Sequence, residues 1–69
     1  MQLEGTIRYI EIGMGFWGFE AKDGSKWEIF DLPDAYKKDG LIGKVEFIVL
    51  DGETINMWGR PAQFKAMIE

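Results

Sequence analysis

Residues 15–30 read GFWGFEAKDGSKWEIF, two aromatic-rich runs on either side of Asp23-Gly24. An Asp-Gly pair between alternating apolar runs signals a β-hairpin. With Lys22-Asp23-Gly24 as a three-residue loop and Gly24 left-handed, residues whose numbers sum to 46 face each other across the hairpin. Phe19 then meets Trp27 and Trp17 meets Ile29 on one face, while Glu20 meets Lys26 and Phe16 meets Phe30 on the other. A two-residue loop would set Trp27 against Glu20 and mix charge with aromatic on both faces, so the longer loop is expected.

The run that leads into this hairpin, GMGFWG at 13–18, has the spacing of the glycine fingerprint that cradles a dinucleotide pyrophosphate. That fingerprint works only where a strand ends and a helix begins, because the phosphate sits on the helix N-terminus. Here an aromatic strand follows instead. Gly13, Gly15 and Gly18 are therefore expected to serve a tight connection and close strand approach.

The remaining chain continues the strand pattern. Alternating segments fall near 2–12, 15–22, 25–30, 43–50, 53–58 and 62–68, and the one helical candidate is LPDAYKKDG at 32–40. In it Pro33 suits a first helical position and Gly40 a stop, giving one or two turns. Leu50-Asp51-Gly52 repeats the hairpin signal and would set Phe47 opposite Ile55, Val45 opposite Met57, and Glu46 with Asn56 outside. The expected fold is mainly β: one domain over 1–69, a small OB-like barrel of five or six strands with one short helix between the third and fourth. Its expected core is Trp17, Phe19, Ala21, Trp27, Ile29, Val45, Phe47, Val49, Ile55 and Met57, joined by Ile7, Phe64 and Ile68.

Composition narrows the chemistry. The 69 residues contain no cysteine and no histidine, so zinc, haem and iron–sulfur sites lack their usual ligands and no cofactor is expected. Twelve acidic against eight basic residues give a net charge of −4, which opposes polyanions at long range. No stretch is apolar enough to span a bilayer, and no basic start precedes an apolar run; a cytoplasmic location without membrane contact is expected. The single serine, Ser25, has no histidine to activate it, and Asp31 and Asp34 read as turn and helix-start acids beside Pro33. Enzymatic activity is not expected.

Hairpin parity leaves some aromatics outside. Phe16 and Phe30 fall on the outer face, Lys26 lies on that face, and Trp58 has outward parity beside Gly59-Arg60-Pro61. Outward aromatics on such a sheet are where a ligand stacks. Phe16, Lys26, Phe30, Trp58 and Arg60 are the candidate ligand-binding residues.

Three stretches, GTIRYIEIGMGFWGFEAKDG, LPDAYKKDGL and INMWGRPAQF, resemble a group of small, poorly characterised prokaryotic domains. Those domains share a G-F-Y-G hairpin, an L-P-x-x-[FY]-K-K-D-G-L segment and a late M-W-G-x-P. The resemblance spans nearly the whole chain and implies a compact β-barrel, with no agreed activity. More loosely, LEGTIRYI, GFWGF and GKVEF are similar to the L-E-G-x-V-K-W-F start, G-F-G-F motif and later strand of bacterial cold-shock proteins, which bind single strands. Trp17 is an extra residue inside that motif, so Phe16 and Phe19 should point opposite ways. Met14 replaces a basic residue, and WEIF stands for F-V-H-F. The expected function is a non-enzymatic binding module for a protein or small ligand; single-stranded nucleic acid is the alternative, disfavoured by net charge.

Overall fold

The computed structural model describes residues 1–52 and 58–68. Five strands, β1 (Gln2–Ile10), β2 (Phe16–Ala21), β3 (Lys26–Phe30), β4 (Ile42–Val49) and β5 (Arg60–Met67), close into a barrel in the order β1-β2-β3-β5-β4. All pairs are antiparallel except β3 with β5, which run parallel. Closure leaves the sheet without long free edges.

The β2–β3 turn is the expected three-residue loop. Gly24 sits at φ +91°, its N–H donates to the Ala21 carbonyl at 3.0 Å, and the Ala21 N–H donates to that of Ser25 at 2.9 Å. Phe19 pairs with Trp27 and Glu20 with Lys26. The ladder stops at Gly18 and Glu28, so Trp17 with Ile29 and Phe16 with Phe30 are not pairs. Past that point Ile29 and Phe30 pair with Ala62 and Gln63 of β5, while β2 follows β1 down to Phe16. Strands that tilt to close a barrel must stagger in this way.

The second hairpin reads differently. Val45 is flanked by Leu3 of β1 and Met67 of β5, and Phe47 pairs with Phe64; Ile55 and Met57, the partners the Asp-Gly turn suggested, lie outside the described residues. One side of β4 goes to β1, the first strand of the chain, and the other to β5, the next strand described. The expected strand 53–58, with Ile55, Asn56 and Met57, lies outside the described residues except for Trp58, which is in a bend. The helix expected over 32–40 shrinks to one 3-10 turn, Asp34–Tyr36, with Pro33 ahead of it and Lys37 already at ψ 71°. The helical turn thus ends at Tyr36, ahead of the stop expected at Gly40, which has φ +91° in the connection to β4.

Ile7, Phe19, Ala21, Trp27, Ile29, Leu32, Val45, Phe47 and Ala62 form the core. Trp27 lies 4.8 Å from the Phe47 ring and Phe19 lies 6.4 Å from it. Trp17, Val49 and Phe64 only pack against this cluster, and Ile68, just past the last residue of β5, is exposed. Leu32 and Ala62 join the core from positions that alternation does not mark: one follows the end of β3, the other is the partner of Ile29. The 3-10 turn lays Tyr36 against Phe64, with ring centroids 5.7 Å apart.

Two substitutions separate backbone strain from crowding. A Cβ at Gly24 meets nothing within 4 Å, so Gly24→Ala carries only the left-handed penalty, about 1–2 kcal/mol. A Cβ at Gly59 would lie 2.7 Å from the Lys26 carbonyl oxygen and 3.0 Å from the Trp27 nitrogen, where backbone must move. Urea unfolding is expected to rank Gly59→Ala as the greater loss, and the reverse order would show that the β3–β5 approach is looser than described. In the core, Phe47→Ala is expected to cost about 3–5 kcal/mol, and Phe16→Ala to leave the barrel folded.

Candidate binding face

Parity from the Gly24 turn places Phe16, Gly18 and Glu20 of β2 on the outside with Lys26, Glu28 and Phe30 of β3. Gly18 has no side chain, which leaves a bare patch of sheet between Phe16 and the β3 residues. The Trp58 indole covers it. A Cβ built at Gly18 would lie 2.5 Å from Trp58 Cζ3 and 2.7 Å from Cη2, so only glycine admits the ring in this seat. Phe16 meets Trp58 edge-on, with centroids 5.7 Å apart and planes at 67°. The Lys26 ammonium stands 5.4 Å from the Trp58 ring centre, within cation–π range.

Three of the five residues nominated from sequence, Phe16, Lys26 and Trp58, thus make one cluster. Phe30 lies on the same face by parity and is 41% exposed, but touches no other ring among the described residues. Arg60 goes elsewhere: its guanidinium lies 5.0 Å from the centre of the Trp27 ring, on the core side of β3. Neighbouring Lys26 and Trp27 therefore each share a cation–π contact with the chain entering β5, cation and ring exchanging roles between the two.

Trp17 faces away from Phe16, as the inserted residue requires. Tyr9 pairs with Trp17 and Ile10 with Phe16. The Tyr9 and Trp17 rings meet edge-on at 5.1 Å, on the side packed against the core.

The opening glycines serve the chain reversal rather than a phosphate. Gly13 and Gly15 have φ of +61° and +86°, and the Gly15 N–H donates to the Ile12 carbonyl at 3.0 Å. A side chain at Gly15 would run into the Tyr9 ring. The turn exposes Ile12 and leaves Met14 fully in solvent, two apolar residues that strand alternation does not single out. Glu28 was also missed. Its parity points outward, yet it is 5% exposed, and its cross-strand neighbour is Gly18, the residue the indole covers.

Charge on the neighbouring outer surface is locally neutralised. Arg8 reaches Glu20 at 3.3 Å and Lys22 reaches Glu4 at 3.2 Å, exposed pairs each worth at most about 1 kcal/mol. Ser25 is taken up by the turn: its hydroxyl donates to Asp23 and accepts from the Trp27 Nε1–H at 2.8 Å. This links the loop acid to a core indole and uses the one side chain that could have been a serine nucleophile.

The Ser25 hydroxyl, followed by the Ser25 backbone N–H, holds the Asp23 carboxyl below its ordinary pKa. A folded-state pKa below the unfolded one gives stability that is present above the unfolded value and fades as pH falls through the folded one. Ser25→Ala is therefore expected to raise the Asp23 pKa, read by carboxyl NMR titration, and to flatten the acid limb of the stability curve. An Asp23 titration unmoved by the substitution would remove the hydroxyl as its cause. Comparison of the chain with family models, with curated proteins and with solved structures gives no match.

Proposed function

We propose that this chain is a non-enzymatic, OB-like binding module that takes a protein or small ligand on the outer face of β2 and β3 and on the adjoining loops. The observation that carries this reading is the Phe16–Trp58–Lys26 cluster. It joins two aromatic rings, a cation and a side-chain-free patch of sheet on one side of a closed five-stranded barrel. Exposed Ile12 and Met14 lie on the loop leading into Phe16, and the loops joining strands 1–2 and 4–5 are the ones that flank the ligand face in barrels of this type. The binding reading also fits the engagement of Ser25 with Asp23 and Trp27.

Single-stranded nucleic acid is the second reading. The likeness to cold-shock proteins and the pairing of Lys26 with aromatics favour it, since bases stack on rings while phosphates meet cations. Against it stand the net charge of −4 and the turning of Phe16 and Phe19 to opposite faces. A cytoplasmic setting is part of the proposal. No described helix is long and apolar enough to cross a membrane.

Amide NMR of the labelled protein, titrated with short single-stranded DNA and RNA at low salt and then with candidate protein partners, tests both readings. Shifts confined to Phe16, Lys26 and Phe30 on adding oligonucleotide would favour the nucleic-acid reading. Phe16→Ala is expected to keep the melting temperature within a few degrees while weakening binding at least tenfold. Full binding by a folded Phe16→Ala protein would overturn the assignment of this face.

A further inference from the structure

The outer face already holds one flat ring, and that ring belongs to the protein itself. Trp58 lies over Gly18, edge-on to Phe16 and below the Lys26 ammonium. Its attachment differs from that of the buried indole nearby. Trp27 is 3% exposed and donates its ring N–H to Ser25 at 2.8 Å. Trp58 is only half-buried, and no described residue accepts from its ring N–H.

The backbone restricts how Trp58 can leave. Gly59, the next residue, is pressed against Lys26 and Trp27, and Arg60 is fixed in register with Trp27. Release of the indole is therefore a side-chain rotation about a held backbone, and the barrel need not open.

We propose that the seat over Gly18 is an aryl-binding subsite which Trp58 fills in the free protein and yields to an aromatic side chain of a partner protein. The inference rests on the binding-face reading above and specifies what that face accepts. Contacts that suit an indole from within suit one from outside: the flat backbone at Gly18 for the ring face, Phe16 for the ring edge, and Lys26 for the π-cloud or for a nearby carboxylate. Exchange of one ring for another also costs the face little new desolvation, because the Trp58 ring already covers the seat in the free protein. A ligand bearing an indole and a carboxylate is the smallest probe of this chemistry.

The test uses free indole-3-acetate and indole with the full chain. Trp58→Ala empties the seat, and indole-3-acetate is expected to bind it at least tenfold more tightly than it binds the wild type. Ring-current shifts should appear at the amides of Phe16, Gly18 and Lys26. Lys26→Met in that background is expected to remove the preference for indole-3-acetate over indole. In Gly18→Ala the added methyl group blocks the seat, so the Trp58 ring N–H should shift towards its solvent-exposed position while no indole binds. Equal affinity of wild type and Trp58→Ala, or saturation of Trp58→Ala without shifts at Gly18, would overturn the proposal.

A second measurement needs no variant. Relaxation dispersion of the wild-type Trp58 ring 15N is expected to show exchange between seated and released states, and a flat profile would overturn reversible occupancy even if Trp58→Ala failed to fold. The outcomes also separate the two levels of inference. If a partner shifts Phe16 and Lys26 while the Trp58 ring signal stays in place, ring exchange fails and the binding face stands. If partners and indole bind only away from this face, both fail. Oligothymidylate displacing the Trp58 signal where aromatic peptides do not would transfer the seat to nucleobases and overturn the protein-partner assignment.

Discussion

The barrel depends on a close approach that only glycine allows. At Gly59 the chain runs against the backbone of Lys26 and Trp27 with no room for a Cβ, and from there β5 proceeds parallel to β3 through Trp27–Arg60, Glu28–Pro61, Ile29–Ala62 and Phe30–Gln63. This parallel pairing joins the β1-β2-β3 meander to β4 and β5. Without it the edge of β3 would be open, and the core side of Ile29 would lose its partner Ala62. Pro61 fits here because it lies within the first two residues of β5, where a missing N–H is most easily tolerated.

The same approach decides where the proposed binding surface lies. Gly59 separates two residues that pass to opposite sides of β3: Trp58 outward over Gly18, Arg60 onto the Trp27 ring. One segment therefore sets a cation against a core ring and furnishes a ring to the outer face. Cation–π contacts of this kind contribute roughly 0.5–1 kcal/mol at exposed sites and more where water is excluded. Two of them on adjacent β3 residues help fix the entry into β5. The backbone under this surface is held in place, and a held backbone loses less conformational entropy on binding.

The turn between β2 and β3 plays a matching part at the same end of β3. Asp23, Ser25 and Trp27 form one hydrogen-bonded series from loop carboxylate to core indole, so the ring on which Arg60 stacks is oriented by its own hairpin. Trp27 is the meeting point: it packs on Phe47 inside, pairs with Phe19 across the hairpin, and accepts the guanidinium of Arg60.

The sequence by itself determined the local parts. It specified the three-residue turn at Lys22-Asp23-Gly24 and the pairing of Phe19 with Trp27. It also specified the opposed faces of Phe16 and Trp17, and the mainly β barrel with its interruption near Pro33. These follow from side-chain alternation and from glycine at positive φ, both readable within a few residues. Only the tertiary structure decided the partners of β4, the shortening of the helix to one 3-10 turn, the burial of Glu28, and the parting of Arg60 from Phe16, Lys26 and Trp58. Each of these depends on which distant strand lies alongside. Val45 could as well have met an apolar residue at hairpin distance from the Asp51-Gly52 turn as Leu3 and Met67, because an apolar alternation is satisfied by any apolar partner. What selects among partners is closure: five tilted strands must join with one stagger, and the space beside Lys26 and Trp27 admits a backbone only at a glycine.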